Sequence, residues 1–113
     1  MSPITTHVLD TALGCPAMAV GVTLYRLEAD GAIVKIGQSQ TNADGRATDL
    51  LPAGSLPTGT YRIDFDTAGY FIRSGRPSFY PRVEVLFEVA VGSEHYHVPL
   101  LLSPFGYSTY RGS

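Results

Sequence analysis

Three histidines, one turn-flanking arginine and a polar carboxyl-terminal tetrapeptide are the residues of this chain whose chemistry stands out. His7 lies within Thr6-His7-Val8-Leu9-Asp10. Strand alternation gives it a face with Thr5 and Leu9, opposite Ile4, Thr6 and Val8. An imidazole on an outward face titrates near neutrality and is free to act as acid or base. A partly exposed strand histidine with no such role is the plain alternative.

His95-Tyr96-His97-Val98-Pro99 repeats the pattern. Tyr96, Val98 and Leu100 form the apolar set that should face a core, so His95, His97 and Pro99 point away from it. Two histidines at i and i+2 could form half of a metal site, but one cysteine and no nearby carboxylates leave too few further ligands. No metal or organic cofactor is expected. Arg46 follows Asp44-Gly45 at a turn. Such arginines are commonly solvated, yet the planar guanidinium fork also suits a ring edged with carbonyl oxygens. Tyr110-Arg111-Gly112-Ser113 supplies aromatic, cationic and hydroxyl groups together with the α-carboxylate. Gly112 there is expected to allow an unusual backbone turn.

The elements that must position these groups read as short strands. Period-2 alternation runs through Ile4 to Asp10, Gly21 to Leu27, Ile33 to Gly37, Thr60 to Asp66, Val83 to Val91, Tyr96 to Ser103 and Tyr107 to Arg111. Turns fall at Gly14-Cys15-Pro16, Ala29-Asp30-Gly31 and Thr41 to Gly45. Leu51 to Gly59, with two prolines and two glycines, reads as loop. Thr67 to Ser74 breaks the alternation and predicts one or two helical turns, with Gly75 as the stop. Seven or eight strands at this spacing predict an all-β antiparallel sandwich. At 113 residues, 44% apolar and 16% charged, the chain suits one globular domain, residues 1–113, with its own core.

A net charge of −2 argues against a nucleic-acid partner, which calls for a concentrated basic face. No apolar run is long enough to span a bilayer as a helix. The amino terminus has neither the basic nor the apolar region of a secretory signal, and the chain lacks a terminal Ser-Lys-Leu. With a single cysteine, these features make the cytoplasm the expected location. Cys15 has no flanking base and is expected to be a packed small residue rather than a nucleophile. Asp10, Asp44, Asp49 and Glu84 fit turns and exposed faces. No nucleophile elbow, phosphate loop or dinucleotide fingerprint is present.

Several segments together resemble the 5-hydroxyisourate hydrolases of the transthyretin superfamily. They are Thr6 to Asp10 with Gly14 to Ala17, Thr41 to Arg46, Gly69 to Phe71, Gly75 to Pro81, and the tail from His95. The resemblance implies a transthyretin-like sandwich with one short helix and a cyclic-amide hydrolase acting on 5-hydroxyisourate. The implied product is 2-oxo-4-hydroxy-4-carboxy-5-ureidoimidazoline. His7, Arg46 and His97 are then the implied catalytic residues, with His7, Arg46, Tyr110, Arg111 and Ser113 contacting substrate. His97 is expected to be the base, His7 its partner or the proton donor, and Arg46 the oxyanion stabiliser. The family pattern also implies a homotetramer, a dimer of dimers with sites at the interface between dimers. A non-enzymatic carrier of small aromatic ligands is the alternative on the same scaffold.

Overall fold

The computed structural model describes residues 1–113. Nine strands and one helix follow in order: β1 (Ile4–Asp10), β2 (Cys15–Pro16), β3 (Gly21–Leu27), β4 (Ile33–Gln40), β5 (Arg46–Ala47), β6 (Gly59–Phe65), α1 (Thr67–Arg73), β7 (Val83–Val89), β8 (Tyr96–Ser103) and β9 (Gly106–Thr109). One sheet has the order β2-β1-β8-β9, with β5 also paired to β1; the other has the order β4-β3-β6-β7.

The alternation that identifies the strands also builds the core. Ile4, Val8, Leu100 and Leu102 of the first sheet are fully buried, as are Val22, Leu24, Ile63 and Phe65 of the second. Each such side chain contributes roughly 1.5–3 kcal/mol on leaving water. The faces expected for β1, β3 and β6 are therefore the faces observed. The outward positions of β1 and β8 are left for chemistry.

The architecture is the expected sandwich, with two refinements. β2 and β5 are two residues long, too short to show a period, and exist because the free edge of β1 accepts them. β1 and β8 run parallel, with Thr5 beside His97 and His7 beside Pro99. Alternation gives the faces of a strand but not its direction, so this pairing is not written in either segment alone.

Helix α1 begins at Asp66, whose side chain accepts from the Gly69 N–H at 3.0 Å. It ends where the N–H groups of Gly75 and Arg76 reach the carbonyls of Ile72 and Phe71, at 3.1 and 3.0 Å. The stop at Gly75 is thus where the sequence puts it.

Two expectations fail. Asp10 is fully buried, not at an exposed turn. It continues the inward series Ile4, Thr6, Val8, and Tyr70 and Arg76 both donate to its carboxylate. Cys15 is an exposed free thiol, because β2 pairs at the rim of the sheet with nothing packed above it.

Candidate active site

Two backbone registers bring His7, Arg46 and His97 to one outward face. His7 stands directly opposite Arg46 across the β1–β5 pair, which puts their Cβ atoms about 4.5–5.5 Å apart. Thr5 stands opposite His97 across the β1–β8 pair. His7, two residues from Thr5 on the same face, is therefore a diagonal neighbour of His97, about 8 Å away by strand spacing and rise.

The turn before Arg46 is fixed by its own polar groups. The Asn42 side-chain oxygen accepts from the N–H groups of Asp44 and Arg46 at 2.9 and 3.0 Å. Gly45 has φ of 77°, and a Cβ there would lie 2.4 Å from the Val8 carbonyl oxygen. Only glycine meets both conditions, so the Asp-Gly-Arg order sets where the guanidinium starts.

The same turn fixes His7. Its Nε2 lies 2.9 Å from the Asp44 carbonyl oxygen. A carbonyl only accepts, so Nε2 carries the proton and, in neutral His7, Nδ1 carries the lone pair. His97 has the opposite arrangement, with Nδ1 2.8 Å from the Thr5 hydroxyl. That hydroxyl also lies 2.9 Å from Nε2 of His95. Of His7 and His97, the imidazole nitrogens without a protein partner are thus His7 Nδ1 and His97 Nε2. Burial first, then the Arg46 guanidinium and the electrostatic influence of the neighbouring His95 and His7 imidazoles, push the His97 imidazole below its usual pKa. At neutral pH it is an uncharged base.

The carboxyl-terminal tail returns to this face. Gly112 pairs with His97 and donates its N–H to the His97 carbonyl at 2.8 Å. This keeps the register of the β8–β9 ladder. A Cβ on Gly112 would lie 2.6 Å from Cδ2 of His97 and 3.2 Å from Cγ of Pro99. The glycine is needed for this close approach, not for the unusual turn expected from the sequence.

Tyr110 is in phase with Gly112 and is half exposed; Ser113 is exposed, one residue beyond the bridge. The Arg111 side chain does not join the group. Its guanidinium stacks over Tyr96, 4.5 Å from the ring centroid, and reaches Glu94 at 3.3 Å. Neighbouring residues of an extended segment point to opposite faces, so with Gly112 against His97 the Arg111 side chain anchors the tail from the other side.

Thr5 and the Asp44 carbonyl have no role in the sequence expectations, and His95 enters them only as an outward-facing half of a metal site. Thr5 was within reach, since it shares the His7 face two residues away. The others depend on loop geometry and on the parallel register.

A groove of about 330 Å³ runs beside His97 and Tyr110, walled by Val85 and Phe87 of β7. A larger hollow, about 780 Å³, lies on the outer face of the other sheet, with Asp64, Asp66 and Glu84 in its wall. It contains no imidazole, and its carboxylates disfavour a ring edged with oxygen acceptors. Chemistry, rather than volume, selects the histidine face.

Comparison with known proteins assigns the family over nearly the whole chain. The HIUase/Transthyretin family pattern matches residues 4–112. Mouse (Mus musculus) 5-hydroxyisourate hydrolase is 50% identical over 113 residues, covering 99% of this chain and 96% of that protein. The structure of Klebsiella pneumoniae 5-hydroxyisourate hydrolase superposes with a TM-score of 0.83 at 38% identity, covering 97% of this chain and 98% of that one. Sea bream transthyretin in complex with thyroxine superposes with a TM-score of 0.92 at 35% identity, covering 98% of this chain and 95% of that one. A shared backbone therefore serves a thyroxine-bound transthyretin and a hydrolase alike, and this chain belongs to the HIUase/Transthyretin family.

Proposed function

We propose that the chain is a single domain, residues 1–113, that hydrolyses 5-hydroxyisourate by opening a ring amide. The observation that carries this reading is the convergence of His7, Arg46 and His97 on one face, with the two unengaged imidazole nitrogens available there. Amide hydrolysis needs a base for water, a cation for the developing oxyanion and a proton for the departing nitrogen. His97 Nε2 takes one proton of the water, and His7 Nδ1 accepts a hydrogen bond from the other. The water oxygen bonds to the carbonyl carbon while the carbonyl π pair moves onto oxygen, beside Arg46. The C–N bond then breaks, and the proton held by His97 passes to the departing nitrogen. Tyr110 closes the side of the site next to His97, and the terminal Ser113 follows just beyond it. No step requires a metal.

The test is hydrolysis of freshly generated 5-hydroxyisourate, followed by ultraviolet absorbance. Catalysed decay well above the spontaneous rate is the expected result. Absence of catalysis with tight binding of small phenols would favour a carrier instead.

We further propose a homotetramer with sites completed between dimers, and a cytoplasmic location. The edges of β7 and β9 are unpaired, and Leu86, Phe79, Phe105 and Tyr110 are exposed around them and on the tail. No helix is long and apolar enough to cross a membrane.

Two expected results concern the tail. Gly112→Ala drives a methyl group into the His97 ring and should lower kcat by about 10²-fold, the usual cost of a misplaced catalytic group. An unchanged rate would show that the tail yields freely. A short tag after Ser113 should impair turnover more than the same tag before Met1. Equal activity of the two proteins would remove the terminal serine from the site.

A further inference from the structure

We infer that His95 is a positioning residue for His97, acting through the Thr5 hydroxyl as the outer end of a three-group proton relay. The inference rests on the hydrolytic reading of the His97 face. Thr5 is 2% exposed, and its hydroxyl meets two partners, His95 Nε2 at 2.9 Å and His97 Nδ1 at 2.8 Å. A hydroxyl has one proton to donate. With no third partner to take that proton, the hydroxyl donates to one imidazole and accepts from the other, so the two nitrogens differ in protonation.

Two neutral arrangements satisfy this rule. In one, His97 holds its proton on Nε2, facing the site. In the other, His97 donates from Nδ1 to Thr5, Thr5 donates to His95 Nε2, and the His97 Nε2 lone pair faces the site. Arg46 selects the second, since a lone pair directed toward a guanidinium is favoured over an N–H dipole directed there. That arrangement makes His97 a base at rest.

The proton count then closes. When His97 Nε2 takes a proton from water, Nδ1 passes its own to the Thr5 oxygen, and the Thr5 proton passes to His95 Nε2. His97 is neutral again, and the positive charge rests on His95, which is exposed. Charge leaves the neighbourhood of Arg46 and reaches a group that exchanges with water. Reversal of the same transfers returns a proton to the departing nitrogen. His95 thus has work on this face that neither substrate contact nor metal binding describes.

Three variants and one spectrum test the relay. His95→Gln keeps a hydrogen-bonding group near Thr5 but cannot cycle a proton. Thr5→Val keeps the shape and removes the hydroxyl, whereas Thr5→Ser restores it. Both His95→Gln and Thr5→Val should lower kcat about 10–100-fold, the range by analogy with metal-bound imidazoles that lose the partner fixing their tautomer. KM should stay within about twofold, and Thr5→Ser should recover most of the rate. Wild-type turnover in His95→Gln would overturn the relay, whatever Thr5→Val does, because the hydroxyl would then suffice alone.

Imidazole ¹⁵N chemical shifts of His97 in the unmodified protein provide a readout that needs no substrate. A protonated Nδ1 and an unprotonated Nε2 at neutral pH support the relay; protonated Nε2 overturns it. If the unmodified protein lacks hydrolase activity, the functional reading fails while the spectrum still decides the hydrogen-bond order.

Discussion

Replacing His97 by asparagine should lower kcat by about 10²–10⁴, the usual contribution of a positioned acid–base group. Asparagine still offers a polar atom to Thr5 in place of Nδ1, but it has nothing in place of Nε2, which accepts the water proton. Substrate contacts elsewhere are retained, so KM should change far less than kcat. The pH profile of the unmodified enzyme supplies the companion observation. Burial first, then the Arg46 guanidinium and the neighbouring imidazoles of His95 and His7, hold His97 below its usual pKa. A neutral base is lost only on protonation, so activity should persist below the usual imidazole range near 6.5 and fall on further acidification. Initial rates on fresh substrate across pH check both statements. Undiminished kcat in His97→Asn would exclude His97 as the base.

The largest expected effect on stability lies at Asp10, away from the catalytic face. Its carboxylate is fully buried and accepts from the Tyr70 hydroxyl at 2.7 Å, from the Leu13 N–H at 3.1 Å and from Arg76. Burial alone would raise the Asp10 pKa. The hydrogen bonds from Arg76, Tyr70 and Leu13, with the Arg76 charge, outweigh burial and hold it below the ordinary carboxylate range. Burial and then the Asp10 carboxylate push the Tyr70 hydroxyl up to about 12.

Arg76→Met keeps much of the apolar stem but strands a buried charge, and should cost about 3–5 kcal/mol. Urea denaturation at matched protomer concentration measures this. A loss below about 1 kcal/mol would show that Tyr70 and the backbone hold the charge unaided. The pH dependence has a definite sign. A carboxyl group depressed on folding stabilises the native state above its unfolded pKa, and this contribution disappears as pH falls through the depressed folded value. Removing Arg76 should therefore shrink the acid-induced loss that this carboxylate causes.

Asp10 also shows what a sequence pattern conceals. Ile4, Thr6, Val8 and Asp10 are in phase, and strict alternation points the carboxylate inward. An aspartate before a Gly-Cys-Pro turn nevertheless reads as exposed, since an unpaired buried charge is prohibitive. Its side-chain partners are 60 and 66 residues away, on and just after the helix, so no local signal reports them. Cys15 errs in the other direction. A small apolar residue suits packing, but a two-residue strand at a rim has nothing to pack under.

The catalytic face was more legible, because alternation alone turns His7 and His97 away from the core. Asn42 and Gly45 likewise make the Arg46 turn a local property of six residues. Thr5 went unassigned, and His95 stayed outside the expected catalytic set, for a structural reason. Their meeting requires β1 to lie parallel to β8 in one register, and the segments are separated by most of the chain. Arg111 and Gly112 needed the same information, since whether a terminal residue faces substrate or scaffold depends on how the tail re-joins β8.

A crystal structure with a non-hydrolysable purine-ring analogue tests the central claim most directly. The ring should lie on the outward face of β1 and β8, with carbonyl oxygens within hydrogen-bond distance of Arg46 and its reactive carbon beside the unengaged nitrogens of His7 and His97. An analogue seated instead in the acidic hollow over β3 and β6, with the histidine face empty, would contradict the account.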